Sequence, residues 1–279
     1  MTRRTRRILG KTVLIVILTA AALLYIYPVF LMFVNSFKPF GEVIADPIAL
    51  PKAPTFDNYT YVADKIHYFK LLGNNVMITA IGIVGILFFS SLAAYICDRR
   101  RTKYTRLVYT LLITPMLIPF QTIMITLLKA MSVIRLSGSR VGLGIQYWGF
   151  GIPMAVFIFY NFMKTIPKEL DESAQIDGAS TMRTFISVIF PLLKSVTVTV
   201  LVLDVMWIWN DFLLPLLMVN ASNTTKTLVL AAYTFVGQMN TQWQYAMTGM
   251  VLAVFPSILV FIFLQKYIVE GVVAGAVKG

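Results

Sequence analysis

Long runs without a charged residue constrain the fold of this chain more than any other feature. Four of them are 22 to 27 residues long: Thr12 to Phe37, Leu71 to Cys97, Leu107 to Leu128 and Val141 to Met163. Each is long enough to cross a bilayer as a helix, which takes about 20 residues. Two further spans are predicted at Ser195 to Val219 and Met247 to Gln265. The sequence therefore predicts an all-α polytopic membrane protein with six transmembrane helices.

The distribution of positive charge predicts the orientation of these helices. Lys and Arg number 24 against 12 Asp and Glu, which gives a net charge of +12. Short cytoplasmic loops of membrane proteins carry an excess of Lys and Arg. With a cytoplasmic amino terminus, 16 of the 24 basic residues, including the cluster Arg99 to Arg106, fall on the cytoplasmic side. We therefore expect both termini in the cytoplasm, contact of this cluster with anionic membrane lipid, and no binding of nucleic acid.

The spans and the charges together divide the chain into segments. A basic cytoplasmic amino terminus, 1–11, is followed by a six-helix transmembrane domain, 12–269, and by a cytoplasmic tail, 270–279. Inside the transmembrane domain, 38–70 and 220–245 are predicted external loops, long enough and mixed enough in polarity to receive another protein. The main cytoplasmic loop is 164–194.

This cytoplasmic loop carries signals for two short helices joined by a turn. Proline followed by acidic residues suits a first helical turn, so a helix is predicted over Pro167 to Ile176. Asp177 and Gly178 then end the helix, because glycine admits the positive φ that turns the chain. Ser180 is placed to cap a second helix, which leads through Pro191 into the fifth span. The sequence thus predicts a bent two-helix element in the cytoplasm.

Three prolines interrupt the predicted spans. Pro115 and Pro119 lie in the third span and Pro215 lies in the fifth. Because proline lacks a backbone N–H and clashes with the preceding turn, a kink is expected at each, and neighbouring helices can tolerate it. Whether the kinks surround a cavity or serve packing alone stays open.

Side chains that carry catalysis or bind metals are scarce. His67 is the only histidine and Cys97 the only cysteine, which excludes a histidine-pair zinc site, a credible catalytic triad and an intrachain disulfide. The segment Gly10-Lys11-Thr12 lacks the earlier glycine that a phosphate-binding loop needs. We therefore expect no catalytic residue, no metal and no cofactor in this chain. Energy for uphill transport would have to come from a partner.

The most specific motif of the chain lies in the cytoplasmic loop. It is Glu172-Ser173-Ala174-Gln175-Ile176-Asp177-Gly178-Ala179-Ser180, followed by Val188-Ile189-Phe190-Pro191. This pattern resembles the EAA signature of the membrane subunits of binding-protein-dependent ABC importers. Ser173, Val188 and Phe190 depart mildly from the signature.

Other segments are similar to the maltose-type, MalG-like branch of carbohydrate permeases. They are Asn35-Ser36-Phe37-Lys38-Pro39, Pro54-Thr55 with Asn58-Tyr59, Trp209-Asn210-Asp211-Phe212-Leu213 and Ala274-Gly275-Ala276-Val277-Lys278-Gly279. The resemblance runs from about residue 12 to the last residue. It implies the type I ABC importer permease fold and a place in the cytoplasmic membrane of a bacterium or archaeon.

The resemblance also implies a division of labour. A second homologous permease subunit completes the pathway, two copies of a cytoplasmic ABC ATPase bind ATP and Mg²⁺ and drive it, and an external solute-binding protein delivers a sugar or oligosaccharide. The cytoplasmic loop would couple the ATPases to the spans through Glu172, Ala174, Asp177, Gly178, Ala179 and Pro191. In the small-residue tail, Ala274, Gly275 and Lys278 are expected to contact the ATPases.

Polar residues in the fifth span predict a surface on the transport path. At 100° per residue, Asp204, Trp207, Asn210 and Asp211 occupy one arc of a helix. A carboxylate at membrane depth is costly in lipid, so the arc should face the bundle interior. Carboxylate, amide and indole groups can bind a sugar. For Asn210 and Asp211, the alternative that they cap or tie neighbouring helices stays open.

Two other classes of function remain to be separated from the importer subunit. A membrane-embedded transferase would use Asp204 and Asp211 as acid and base, and the isolated chain would turn over its substrate. A self-sufficient ion channel would conduct without ATP. The importer subunit is favoured because six spans occur with a docking loop far from the intramembrane acids. The importer-subunit interpretation predicts ATP hydrolysis only in the presence of partner ATPases.

Overall fold

A computed structural model describes the backbone of residues 3–237 and 241–276 and the side chains of 10–237 and 241–265. Within these residues the chain is helical and has no β-strand. The α-helices are α1 (Arg3–Asn35), α2 (Phe40–Ala45), α3 (Asp57–Lys65), α4 (Tyr68–Arg99), α5 (Lys103–Ile113), α6 (Phe120–Val133), α7 (Arg140–Met163), α8 (Glu169–Ile176), α9 (Thr181–Thr184), α10 (Phe190–Leu192), α11 (Lys194–Asn210), α12 (Leu213–Val219), α13 (Leu228–Ala232) and α14 (Trp243–Ala276). Turns of 3₁₀ type lie at Thr114–Leu117 and Tyr233–Phe235, and a π-helical segment lies at Phe185–Ile189.

Four of these helices are long and apolar enough to cross a membrane. They are α4, α7, the part Gly10–Asn35 of α1 and the part Trp243–Gln265 of α14. Two further candidates are bent helix pairs, Lys103–Leu117 with Phe120–Val133 at 105° and Thr181–Leu192 with Lys194–Asn210 at 78°. The described residues therefore hold four spans, or six if each bent pair is one span. The predicted all-α polytopic membrane fold is confirmed.

The third predicted span is broken rather than kinked. α5 ends at Ile113, a 3₁₀ turn follows, and α6 begins only after Pro119. Ile118, directly before Pro119, is extended with ψ 116°. Proline disfavours the helical conformation of the residue before it and has no N–H to continue the helical ladder. The prolines thus end one helix and start another.

The fifth predicted span, Ser195 to Val219, is also interrupted. α11 ends at Asn210, and Asp211 is extended with ψ 135°. In a continuous helix the ring of Pro215 would clash with the carbonyl of Asp211, four residues earlier. In the interrupted chain Pro215 lies in the first turn of α12, where proline is tolerated. The position of the break therefore follows from Pro215.

The chain divides into two compact units, and the first consists of Met1–Tyr68 and Ala231–Ala253. Two of its segments, the Asn35 to Pro39 motif and the start of α3, are tied together. Asn58 donates its side-chain N–H to the backbone carbonyls of Ser36 and Lys38, both at 2.8 Å. The Tyr59 hydroxyl lies 2.6 Å from Ser36 Oγ. The contacts explain why polar residues of both segments are buried.

Lys38 is fully buried in this unit. Its Nζ donates to the backbone carbonyl of Asp46 at 2.9 Å. The carboxylate of Asp46 in turn accepts backbone N–H bonds from Ala49 and Ile48, and these bonds hold its pKa below the usual value. Polar contacts rather than an apolar core therefore shape the turn after α2.

α1 is unusual in its exposure. No residue in its most apolar 18-residue window is buried within the chain. Leu24 is 72 % exposed and Tyr25 is 84 % exposed. Lipid or another protein has to cover this helix, because an apolar surface of that length is not stable in water.

The second unit consists of Phe69–Leu230 and Val254–Gly279. α7 packs against α5, α11 and α12. It also approaches α4 closely, since a Cβ at Gly144 would lie 2.7 Å from Cγ2 of Ile81. The indole N–H of Trp148 donates to the Ile81 carbonyl at 2.8 Å. Small residues permit this kind of close approach between membrane helices.

The contacts of Asn58 predict a measurable effect on stability. Asn58→Ala removes two hydrogen bonds and leaves two carbonyls without a donor, so we expect a loss of about 1–3 kcal/mol. Thermal unfolding of the detergent-solubilised chain would measure it. Asn161→Ala is the matched control, because Asn161 is exposed and the described partners of its amide are local, namely the Phe157 carbonyl and Lys164 Nζ. Equal shifts in the two variants would contradict the role assigned to Asn58.

Candidate functional site

The loop 164–194 forms the two-helix element predicted from the sequence, with adjusted bounds. α8 begins at Glu169 rather than Pro167 and ends at Ile176. Its first turn contains Glu169, Asp171 and Glu172, which complement the positive end of the helix. Glu172 is exposed whereas Asp171 is buried. The two neighbouring carboxylates therefore have different environments.

The turn after α8 has the hydrogen bonds of a Schellman motif. The Gly178 N–H donates to the Gln175 carbonyl at 3.0 Å, and the Ala179 N–H donates to the Ala174 carbonyl at 2.9 Å. Gly178 has φ +82°, the left-handed conformation in which a side chain is strained. Glycine at this position is required by the turn itself, since a Cβ there would meet no other atom within 4 Å.

The second half of the loop leads directly into α11. The Ser180 side chain accepts the Arg183 N–H at 3.4 Å and caps α9. The π-helical segment Phe185–Ile189 follows, and Pro191 lies just after it in α10. Because Pro191 cannot donate an N–H, the helical ladder is interrupted there, and π-helical turns accommodate such interruptions. Pro191 therefore marks the base of the element, away from the turn at Gly178.

Asp171 connects α8 to the end of α4. Its carboxylate accepts the Tyr95 hydroxyl at 2.7 Å and Arg99 Nε at 2.9 Å. Arg99 also donates to the Ile166 carbonyl at 3.3 Å. The side chains of Arg99 and Asp171 are 10 % and 8 % exposed. This is a buried, multiply hydrogen-bonded ion pair, and it fixes the start of α8 against α4.

The ion pair continues into a short chain of alternating charges. Arg99 Nη1 lies 2.7 Å from Asp98, and Arg101 Nη2 lies 2.9 Å from the same carboxylate. Asp98 is fully buried. The sequence places Arg99 in the cluster that is expected to contact anionic lipid. In the structure its guanidinium is instead paired with Asp98 and Asp171. A cleft of about 340 Å³, lined in part by Lys168, borders the network.

Sequence reasoning missed this network. It assigned Asp171 only to the positive end of its own helix, and it counted Arg99 only as a basic residue near the membrane. The two residues are 72 positions apart. No periodicity or spacing relates them, and the rarity of acids in this chain was the only signal available.

The four polar residues of the fifth span have separate environments. Asp204 is 8 % exposed, and its Oδ1 would lie 3.5 Å from a Cβ at Gly151 of α7. Among the described side chains it has no hydrogen bond or ion pair. Trp207 is 41 % exposed, and its ring meets that of Tyr147 edge to face at 5.4 Å.

Asn210 and Asp211 make structural contacts at the break after α11. The Asn210 amide donates to the Met206 carbonyl at 2.8 Å. Asp211 accepts the Tyr147 hydroxyl at 2.9 Å and the Leu213 N–H at 3.1 Å. These are the capping and tying contacts that the sequence left as the alternative for this pair. Among the described side chains, Asp204 and Trp207 make no such capping or tying hydrogen bond.

The carboxyl-terminal residues are described only in part. The backbone of α14 reaches Ala276 and therefore includes Ala274 and Gly275. Their side chains and the whole of Lys278 lie outside the described residues. The predicted contact of the tail with ATPases stays a prediction.

Comparison with known proteins places these features in a family. The family model described as "Binding-protein-dependent transport system inner membrane component" matches residues 86–273, which include the loop, α11 and α12. The chain belongs to this family. The resemblance noted in the sequence is thus confirmed, and the chain is a transport subunit and not an enzyme.

Similar chains are named as sugar transport permeases. The "Probable starch degradation products transport system permease protein AmyC" of Thermoanaerobacterium thermosulfurigenes is 38% identical, over 92% of this chain and 93% of that protein. The "Multiple sugar-binding transport system permease protein MsmG" of Streptococcus mutans is 34% identical, over 94% and 95%. The "Melibiose/raffinose/stachyose import permease protein MelC" of Bacillus subtilis is 31% identical, over 96% and 98%.

A solved structure has the same fold. It is a bacterial ABC transporter involved in the import of the acidic polysaccharide alginate. One of its chains matches with a TM-score of 0.79 at 23% identity, over 96% of this chain and 99% of that chain. The permease fold expected from the sequence is therefore confirmed over nearly the whole chain.

The buried ion pair predicts unequal effects of two neighbouring carboxylates. Asp171→Ala leaves Tyr95 and Arg99 without their shared acceptor, so we expect a loss of about 3 kcal/mol. Glu172→Ala, the matched control, should change stability by less than about 0.5 kcal/mol because its carboxylate is exposed. Thermal unfolding and the rate of tryptic cleavage at Lys168 and Arg183 would measure the difference. If both variants behave alike, Asp171 does not anchor the loop.

Proposed function

We propose that this chain is a permease subunit of an ATP-driven ABC importer. With a second homologous permease subunit it forms the pathway for a sugar or oligosaccharide that an external solute-binding protein delivers. Two cytoplasmic ABC ATPases, which bind ATP and Mg²⁺, drive the cycle through the loop 164–194. The membrane is the cytoplasmic membrane of a bacterium or archaeon, and both termini of the chain lie in the cytoplasm.

The observation that carries this proposal is the construction of the two-helix element at 164–194. Its turn is fixed by the two hydrogen bonds of the Schellman motif, while its tip presents apolar side chains to solvent. Ile176 is 86 % exposed and Met182 is 52 % exposed. Exposed apolar side chains beside the carboxylate of Glu172 suit a protein partner with a groove. A two-helix element with a fixed turn and an exposed apolar tip supports docking on an ATPase.

Two connections would transmit a displacement of the two-helix element to the membrane-spanning helices. The Asp171–Arg99 ion pair joins α8 to α4, and the bend after Pro191 joins the element to α11. Because the ion pair is buried, moving α8 without α4 would expose or break it at a cost of several kcal/mol. If closure of the ATPases displaces the two-helix element, α8 and α4 would therefore move together.

The class of substrate rests on the relatives. Their names refer to starch degradation products, to multiple sugars and to melibiose, raffinose and stachyose. We infer that this chain also serves a sugar or oligosaccharide. We further propose that the loops 38–70 and 220–245 receive the solute-binding protein, and that the tail from Ala274 to Gly279 contacts the ATPases.

Reconstitution tests the proposed function directly. The chain would be co-expressed with the permease, ATPase and binding protein that co-purify with it and placed in proteoliposomes. We expect ATP-dependent uptake of at least one of radiolabelled maltotriose, raffinose and arabinotriose, and no uptake when the ATPases are omitted. Uptake or ion conduction by the chain alone, or glycosyl transfer by it, would favour the channel or the transferase instead.

Coupling through the Gly178 turn predicts a graded series of variants. Asparagine tolerates the left-handed conformation better than alanine, and a β-branched residue tolerates it least. Uptake should therefore fall in the order wild type, Gly178→Asn, Gly178→Ala, Gly178→Val, with more than about a tenfold loss in the last. Gly138→Val is the control, because Gly138 also has a positive φ, +76°, and open space around its Cβ position, but it lies outside the loop 164–194.

Membrane insertion and ATPase association would be measured for each variant of this series. Normal uptake by Gly178→Val at full expression would remove the turn from the coupling path. A uniform loss in all three variants would point instead to a direct contact with the glycine backbone.

A further inference from the structure

Two buried asparagines near the start of α4 bind a segment that is distant in sequence. Asn74 Nδ2 donates to the backbone carbonyls of Thr224 and Lys226, both at 3.0 Å. Asn75 Oδ1 accepts the Leu228 N–H at 2.8 Å. Both asparagines are almost completely buried, and buried polar groups are normally hydrogen-bonded. These bonds therefore hold the segment that follows α12 against α4.

The other atom of each amide binds a neighbouring helix. Asn74 Oδ1 accepts Arg140 Nη1 at 2.9 Å, where α7 begins. Asn75 Nδ2 lies 3.5 Å from the carbonyl of Trp209, near the end of α11. A displacement of the segment 224–228 thus acts on amides that are bonded on both sides. Either α4 moves with the segment, or these hydrogen bonds are lost.

The opposite end of α4 contacts the loop 164–194. Tyr95 and Arg99 donate to the carboxylate of Asp171 at 2.7 and 2.9 Å. Arg99 follows Asn74 by 25 residues of continuous helix. At 1.5 Å per residue this length is roughly 37 Å, which exceeds the bilayer core of about 30 Å. One helix therefore joins the segment 224–228 to the start of α8.

α4 is also the candidate span with an uninterrupted helical backbone. It contains no proline, whereas Pro28, Pro153 and Pro256 lie inside the other three long candidates. The remaining two candidates are bent by 105° and 78°. A proline removes a backbone hydrogen bond and is a common cause of a kink. Among the described spans, α4 is therefore best suited to transmit a displacement along its length.

The covalent connection between the same two regions is interrupted twice. It runs through α11 and α12, bends by 78° between Leu192 and Lys194, and leaves the helical conformation again at Asp211. Each interruption allows the segments on its two sides to move separately. Energetic coupling between distant sites travels through hydrogen-bonded contacts and rigid secondary structure. α4 has such contacts at both ends.

We propose that α4 transmits docking of the solute-binding protein on the loop 220–245 to the loop 164–194. Asn74 and Asn75 are the positioning residues at its external end. The inference rests on the proposed function, which places the two loops on opposite sides of the membrane and assigns a partner protein to each. It adds the element that connects the two partners.

The residues beside the hydrogen-bonded segment are accessible to a partner. Asn220, Ala221 and Asn223 are exposed, whereas Leu228 is fully buried. A protein that docks on the exposed residues displaces the segment 224–228 behind them. α4 follows through its two amides. α8 then follows α4, because separating the buried ion pair at the far end is costly.

The ATPase rate of the reconstituted transporter tests this inference. The measured quantity is the ratio between the rate with sugar-loaded binding protein and the rate without it, using whichever of the three sugars is imported. Asn74→Ala removes both hydrogen bonds from Asn74 to the segment 224–228. We expect the ratio to fall at least about fivefold, the lower end of coupling between sites, while the rate without binding protein stays within about twofold of wild type.

A second variant at the other end of α4 tests whether both ends belong to one path. Asp171→Asn keeps the size of the side chain and removes the charge that pairs with Arg99. It should lower the same ratio. If both contacts lie on one path, a second interruption adds little. The double variant Asn74→Ala/Asp171→Asn should then match the more affected single variant within about twofold, whereas independent sites would multiply their effects.

Ser91→Ala is the matched control on the same helix. Ser91 is buried, and the described partners of its hydroxyl are the Leu87 and Phe88 carbonyls of α4 itself. Its ratio should stay within about twofold of wild type, because a bond inside one helix connects no other element. Asn74→Ser, which keeps one donor, replaces Asn74→Ala if that variant does not assemble with the ATPases.

The outcomes separate this inference from the proposed function. An unchanged ratio in Asn74→Ala or in Asp171→Asn, while wild type imports a sugar, would overturn the inference alone. Multiplied losses in the double variant, or an equal fall of both ATPase rates in Asn74→Ala, would do the same.

Two further results would also count against α4 as the connection. If neither Asn74→Ala nor Asn74→Ser assembles with the ATPases, Asn74 is a structural residue and the inference fails. If wild type imports sugar but binding protein does not change its ATPase rate, there is no effect for α4 to transmit. If wild type imports none of the sugars, the proposed function fails, and this inference fails with it.

Discussion

The hydrocarbon core of a bilayer offers peptide groups no hydrogen-bond partner, and the architecture of this chain follows from that constraint. Helices satisfy their own backbone, so the spans need only apolar side chains to form. Wherever a helix stops at membrane depth, another group has to take over. At the break after α11, the Asp211 carboxylate accepts the Leu213 N–H and the Tyr147 hydroxyl. At the break of the third span, the backbone borders a cavity instead.

Burial of charge sets the second constraint, at the loop 164–194. A buried carboxylate is stable only when it is paired and hydrogen-bonded, and Asp171 meets both conditions through Arg99 and Tyr95. The same contacts tie the start of α8 to the end of α4. Glu172, one residue later, is exposed and free to meet a partner. Adjacent positions in the first turn of α8 thus hold one buried, paired acid and one exposed acid.

Local features of the chain could be predicted from the sequence, and distant pairings could not. The runs that form α4 and α7, the turn at Gly178 and the cap at Ser180 each depend on neighbours within a few residues. The break at Asp211 also has a local cause in Pro215, but the run there was interpreted as one span because hydropathy does not report a missing N–H. The Asp171–Arg99 pair joins residues 72 positions apart. Nothing in a single sequence relates such residues.

The charged groups beside the loop 164–194 satisfy one another rather than relying on solvent. Asp98, Arg99 and Asp171 all have partners within the chain. An ion pair that leaves one member unpaired when it opens is costly to break once it is buried, so the start of α8 stays with the end of α4.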